Sequence, residues 1–266
     1  MDRQKQRVAA RRELLHLRTK EQKLRDAAMK SSSGGWKAEL EKRIPPKVYD
    51  GLVSAFSMGF SLVFRQGRRL IELTYDKKGL RQQHLQRDQA VRQGSGRQEL
   101  RQMQEVSRRR NGVNMTATTA EGIALGIFGV GLPDVVLFLS TLLKGIYETA
   151  LNYGFEYESP EEQYWILTMM GTALARGKDW ERGDEEVERL MAERPGVSEE
   201  MLKGKIQKTA SVFAMDMLVL KFIQGMPVVG LIGGAANPVY YRKVMEYVQI
   251  KYKKRYLLNQ LRQETL

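Results

Sequence analysis

Chemistry in this chain would have to come from carboxylates, because the other reactive groups are scarce. There is no cysteine among the 266 residues, which removes thiol nucleophiles, thiolate metal sites and disulfides together. The two histidines, His16 and His84, each lie in a polar, Arg/Gln-rich stretch without a second imidazole beside them, so neither metal binding nor proton shuttling is well supplied. Three acids, Glu121, Asp134 and Asp216, stand in apolar surroundings, where burial would perturb a carboxyl pKa. Structural roles compete for each. Asp134 fits the first turn of a helix, Glu121 the start of a Gly-rich helix, and Asp216 the polar face of another. The composition therefore reads as non-enzymatic, with no catalytic residue, metal or cofactor expected.

A phosphate-cradling loop is the next candidate. Gly122, Gly126, Gly129 and Gly131 are closely spaced, but no strand precedes them and no Gly-Lys-Ser/Thr follows. Small residues three or four positions apart instead allow two helix backbones to approach closely. The same reading is given to Gly230, Gly233 and Gly234 in the later apolar segment 226–236.

The elements that would position these groups read as helices throughout. Residues 1–30 carry ten Lys/Arg against four Asp/Glu, with Ala10, Leu14, Leu17, Leu24 and Ala28 at helical spacing and Glu21 interrupting them. Ser31–Gly35 then breaks the pattern, so residues 1–35 read as a separate basic arm. A long helix follows Pro45-Pro46, with Val48, Leu52, Phe56, Gly59, Val63, Leu70 and Leu73 near one face, and should end near Asp76–Gly79. Residues 80–110 are rich in Gln and Arg and read as two polar helices joined by a link. Between 65 and 110 there are thirteen Lys/Arg and five Asp/Glu, a second basic block.

The 22 residues from Gly122 to Leu143 hold a single ionisable side chain, Asp134. Length alone would permit a membrane span, but Pro133-Asp134 reads as a helix start, which makes the stretch two helices meeting near Gly129–Leu132. The second should run to Tyr153 and stop at Gly154. Ser159-Pro160-Glu161-Glu162 has the form of a capping box, Ser159 capping and Glu162 reaching back, and opens a helix expected to end at Gly177. Residues 156–200 hold thirteen Asp/Glu against five Lys/Arg, an acidic interval. Another helix is expected from Ser198 to Gln224, and Asn237-Pro238 should open the last, with Tyr240, Val244, Tyr247, Val248 and Tyr252 in one stripe, ending in the basic run Lys251, Lys253, Lys254 and Arg255. No segment alternates with period two between turns, so the expected fold is all-α: a multi-helix bundle with two Gly-rich apolar helical hairpin segments.

The order of these landmarks resembles the EcsC protein family. The residues that carry the resemblance are the glycines 122–131 with Leu132-Pro133-Asp134, then Tyr153-Gly154-Phe155, Ser159-Pro160-Glu161-Glu162, and Pro227-Val228-Val229-Gly230 through Asn237. It covers about residues 40–258, leaving the arm outside and the block near 80–110 as an insertion in a domain spanning 36–266. What the resemblance implies is a mostly bacterial protein tied to membrane or export physiology, because the family takes its name from an operon that also encodes an ABC transporter.

Function is then expected at a membrane. Apolar Ile127, Phe128, Val130 and Leu132 at a hairpin tip would enter the headgroup region, while Arg108, Arg109, Arg110, Lys251, Lys253, Lys254 and Arg255 meet anionic lipid. A mean hydropathy of −0.45 argues against full insertion. The charged first thirty residues lack a signal-peptide core, so the expected location is the cytoplasmic side, membrane-associated, with a transport complex as a partner. The alternative is a soluble basic adaptor binding nucleic acid or an acidic protein. A lipid-handling protein or a hydrolase would need a pocket, which sequence does not show.

Overall fold

A computed structural model describes residues 2–30, 46–64, 76–93, 132–223 and 236–263, together with Ile44 and Glu105. Among the described residues there are eight helices and no strand: α1 (Asp2–Lys30), α2 (Pro46–Leu62), α3 (Lys77–Gln93), α4 (Leu132–Asn152), α5 (Pro160–Leu174), α6 (Gly177–Glu193), α7 (Glu199–Ile223) and α8 (Ala236–Gln263). The protein is all-α, as its periodicity predicts.

Local signals set most helix ends. Ser159 caps α5 by accepting from the Glu162 amide at 3.2 Å, with Pro160 at the first helical position. Only half of the expected capping box forms, because the Glu162 side chain is buried against α8 instead of turning back. Ser198 caps α7 in the same way, accepting from Met201 N at 3.2 Å. Two expected ends turn out to be beginnings. Asp76 accepts from Gly79 N at 2.8 Å and starts α3, and Gly177 opens α6 after α5 has stopped at Leu174. The basic run closes no helix either, since α8 continues for two more turns to Gln263.

Helix α4 lies at the centre. It packs on α2, α3 and α8, and its Val135, Leu139, Leu142, Leu143 and Ile146 are wholly buried. Its window Val135–Asn152 has a mean hydropathy of 1.2, enough by length and composition to cross a membrane, yet 72% of that window is buried inside the fold. Beside it, Phe56 and Phe60 of α2 close on Phe213 of α7, with ring centroids 5.4 and 5.6 Å away. Where α4 ends, Gly154 takes φ +76°, the left-handed conformation that lets the chain turn. A Cβ at that position would run into the His84 ring of α3. His84 Nδ1 lies 3.1 Å from the Asn152 carbonyl and Arg87 donates to Asn152 Oδ1 at 2.7 Å, so α3 is fastened to the α4 terminus.

Helix α1 is not a separate arm. It packs along α8 and touches α6 and α3, burying Ala10, Glu13 and Leu17.

Two substitutions check this account. Gly154→Ala should destabilise the fold by about 1–2 kcal/mol from backbone strain, more if His84 is displaced, read as a lower denaturation midpoint. Ser159→Ala should cost about 1 kcal/mol by the same measurement.

Candidate functional site

The basic run of α8 that the sequence offers to a lipid surface is turned inward. Lys251 is 1% exposed and lies 2.8, 2.7 and 2.6 Å from Glu21, Asp184 and Glu188. Lys253 is buried against Glu13 at 2.8 Å. Partly buried Lys254 bridges Glu21 and Glu188 at 3.0 and 2.8 Å. Arg255 Nη1 donates to both oxygens of Glu162, at 2.8 and 2.7 Å, and its guanidinium stacks over Phe155 and Trp165. These four residues are therefore not membrane contacts: the carboxylates of α1, α5 and α6 neutralise them, because burial without partners would cost several kcal/mol per charge. That also explains why Glu21 interrupts an apolar stripe.

The other residues proposed for membrane contact, Arg108, Arg109, Arg110, Ile127, Phe128 and Val130, lie outside the described residues, as do the packing glycines Gly122, Gly126, Gly129, Gly230, Gly233 and Gly234. Leu132 is the first residue of α4. Of the embedded acids, Glu121 lies outside the described residues, Asp134 falls in the first turn of α4, and Asp216 is buried in α7.

Asp216 belongs to a feature that the sequence does not announce. A cleft of about 460 Å³ opens where α5, α6 and α7 converge, with Tyr49 of α2 at its edge. On α7 it is lined by Lys205, Lys208, Thr209, Val212, Asp216 and Val219, a spacing of three and four that draws one face of the helix. The α6 wall comes from Asp179, Arg182, Gly183 and Glu186. Small side chains make the space. A Cβ at Gly183 would meet the Thr172 hydroxyl of α5, so these helices approach closely and larger residues would fill the gap.

Each end carries an ion pair. At one, Lys205 Nζ donates to Glu186 Oε1 at 2.6 Å and sits 4.6 Å from the centre of the Tyr164 ring, whose hydroxyl donates to the same oxygen at 3.3 Å. Burial pulls the Lys205 pKa below the usual lysine range, with Lys208 and Arg189 adding repulsion and Glu186 opposing both. Burial would raise the Glu186 carboxyl, but Lys205 and Lys208 outweigh it and hold it low. At the other end Arg176 donates through Nε and Nη2 to Asp216 Oδ1, at 3.1 and 2.7 Å, while Lys243 stands 3.7 Å from Oδ2. Between them, Thr168, Thr172 and Thr209 spend their hydroxyl protons on helix carbonyls. Among the described residues, no group of acids and histidines is arranged to hold a metal ion. The cleft offers charged ends and an apolar middle, which suits binding.

Sequence patterning could have flagged this face only through charges at odds with it. Asp216 lies among apolar neighbours, eleven residues from Lys205 on one side of α7, and the acidic interval 156–200 supplies Glu186 without indicating its partner.

Comparison with known proteins supplies the family. The chain belongs to the EcsC protein family, whose model matches residues 8–257. The match therefore takes in most of α1 and reaches further toward the N-terminus than the landmark motifs suggest. No curated protein and no solved structure matches the chain.

Two outcomes test the inward-facing charges. Glu162→Ala leaves Arg255 buried without its carboxylate and should cost about 3–5 kcal/mol in chemical denaturation. Alkali should also unfold the protein. Burial opposes the Lys251 charge, but Asp184, Glu188 and Glu21 together hold its pKa above the ordinary lysine value, and burial raises the Tyr247 and Tyr252 hydroxyls. The native state then retains protons that the unfolded chain releases, so the stability these groups contribute is full below about pH 10 and is lost as pH rises further. Phenolate absorbance should appear in a cooperative step coincident with loss of helical circular dichroism.

Proposed function

We propose that this member of the EcsC family is a non-enzymatic helical protein that docks on the cytoplasmic face of a bacterial membrane, serving a transport or export complex there. The observation that carries the reading is the outward face of α1. Val8 and Leu15 are 45% and 59% exposed, although α1 buries its opposite side. Seven residues apart, they share one stripe of the helix. Exposed Arg11 and Arg18, also seven apart, run along one side of that stripe, and exposed Arg12 lies on the other. Aliphatic residues framed by arginines are the surface that an interfacial helix presents to headgroups, with each basic residue near an anionic leaflet contributing about 1 kcal/mol.

Neutralisation within the fold strengthens this reading. With the buried α8 cations paired internally, α1 still presents Arg7, Arg11, Arg12 and Arg18 to the outside. The apolar segment holding Ile127, Phe128, Val130 and Leu132 stays in the proposal as a second contact. Nucleic acid would engage the arginines but has no use for Val8 and Leu15, which favours lipid over the basic-adaptor alternative.

Flotation with vesicles tests it. The full chain should float with phosphatidylcholine vesicles containing phosphatidylglycerol, less in high salt, and not with phosphatidylcholine alone. Replacing Arg7, Arg11, Arg12 and Arg18 by Glu should weaken partitioning more than about a hundredfold, and Leu15→Gln should weaken it at unchanged net charge. A chain that ignores both vesicle types while its arginines bind oligonucleotides in a salt-dependent way would replace this reading with the adaptor.

A further inference from the structure

We propose that the cleft between α5, α6 and α7 is a binding site for a small anionic amphiphile, with the phosphate or other anionic head held at the Lys205–Lys208 end and the apolar tail lying along α7 toward Val219. The site is separate from the α1 face and does not depend on membrane docking.

The carboxylates of the cleft are all paired. Three line the cleft, Asp179, Glu186 and Asp216, and each is already engaged by a cation: Asp179 by Arg182 at 2.6 Å, Glu186 by Lys205, Asp216 by Arg176 and Lys243. A cationic ligand would have to displace one of them. Donors, in contrast, remain. The Lys205 ammonium has three N–H groups and gives one to Glu186. One turn further on, Lys208 is exposed on the cleft wall, and no carboxylate pairs with it among the described residues. Arg189 lies close enough for its charge, like that of Lys208, to act on Lys205. Two lysines thus face the single carboxylate Glu186, while Arg189, itself paired with Glu193 at 3.5 Å, adds only its longer-range charge. An anion placed there relieves their repulsion and takes the unused ammonium protons in a partly desolvated setting, where charge-assisted bonds are strong.

The rest of the cleft chooses the tail. From Lys208 toward Val219 its walls include Leu167, Leu174, Val212 and Met215, and the rise of an α-helix makes this stretch about 16 Å long. The threonine hydroxyls along it donate to backbone carbonyls, so the middle contributes few donors for a polar ligand. The volume of about 460 Å³ lies in the range of small-molecule sites. The Arg176–Asp216 pair closes the far end. A ligand with one anionic end and one apolar end fits this distribution.

Isothermal titration of the full chain with dodecyl phosphate, below its micelle concentration, tests the assignment. Saturable binding of one molecule per chain is expected. Dodecyltrimethylammonium and inorganic phosphate should each bind at least tenfold more weakly, the first lacking the anion and the second the tail. Lys208→Glu, a surface change that leaves the core intact, should weaken dodecyl phosphate at least tenfold. Val212→Trp, which fills the apolar stretch, should do likewise. The α1 arginine-to-glutamate variant should bind as the natural chain does, which separates this site from vesicle docking. Absence of saturable binding, equal affinity for the cationic amphiphile or for inorganic phosphate, or unchanged affinity in Lys208→Glu would each overturn the proposal.

Discussion

The architecture depends on a cationic segment of one helix being buried against acids from three others. Lys251, Lys253, Lys254 and Arg255 occupy little more than one turn of α8, and successive residues advance by about 100° around the axis. They therefore point in several directions and no single partner could neutralise them. Glu13 and Glu21 arrive from α1, Glu162 from α5, and Asp184 and Glu188 from α6. The alternative for any of these charges is desolvation without a partner, which costs far more than a pair gains. The ladder thus sets the register of α1, α5 and α6 against α8, while the apolar contacts, including those with α4, supply most of the favourable energy.

Two consequences follow for the surface. Recruitment of α1 by its two inward glutamates orients that helix, so its arginines, Val8 and Leu15 face outward together. Docking of α5 and α6 against α8 through Glu162, Asp184 and Glu188 fixes one side of those helices, leaving α5 to pack on α7 and Glu186 of α6 to reach Lys205 of α7. Gly183 and Thr172 sit at the closest approach, and the space beside them becomes the cleft. One electrostatic constraint thereby positions both candidate surfaces.

Charge alternation along the chain gains a meaning from this arrangement. The acidic interval 156–200 and the basic run 251–255 are distant in sequence but meet in space through Glu162, Asp184 and Glu188, and the net charge of +13 over the whole chain leaves many cations outside these pairs. The remainder is unevenly placed. A basic composition by itself does not say which cations are available to a partner, because exposure and pairing separate Lys251 from Arg11 although both are basic residues on amphipathic helices.

Sequence determined the helical class, the family resemblance and several boundaries, because these depend on interactions within a few residues: the periodic burial of α2 and α8, the Ser159 and Ser198 caps, and the turn at Gly154. It misjudged Asp76 and Gly177, where a signal used at either end of a helix was assigned to the wrong end. Tertiary structure alone decided what the charges do. Whether Lys251 faces lipid or Glu188, whether Glu162 closes a capping box or holds Arg255, and whether Lys205 and Glu186 border a cleft all depend on contacts between distant segments. Helical periodicity reports which side of a helix a residue occupies, but the neighbour on that side, and hence the cost or gain of burying a charge there, exists only once the helices have packed.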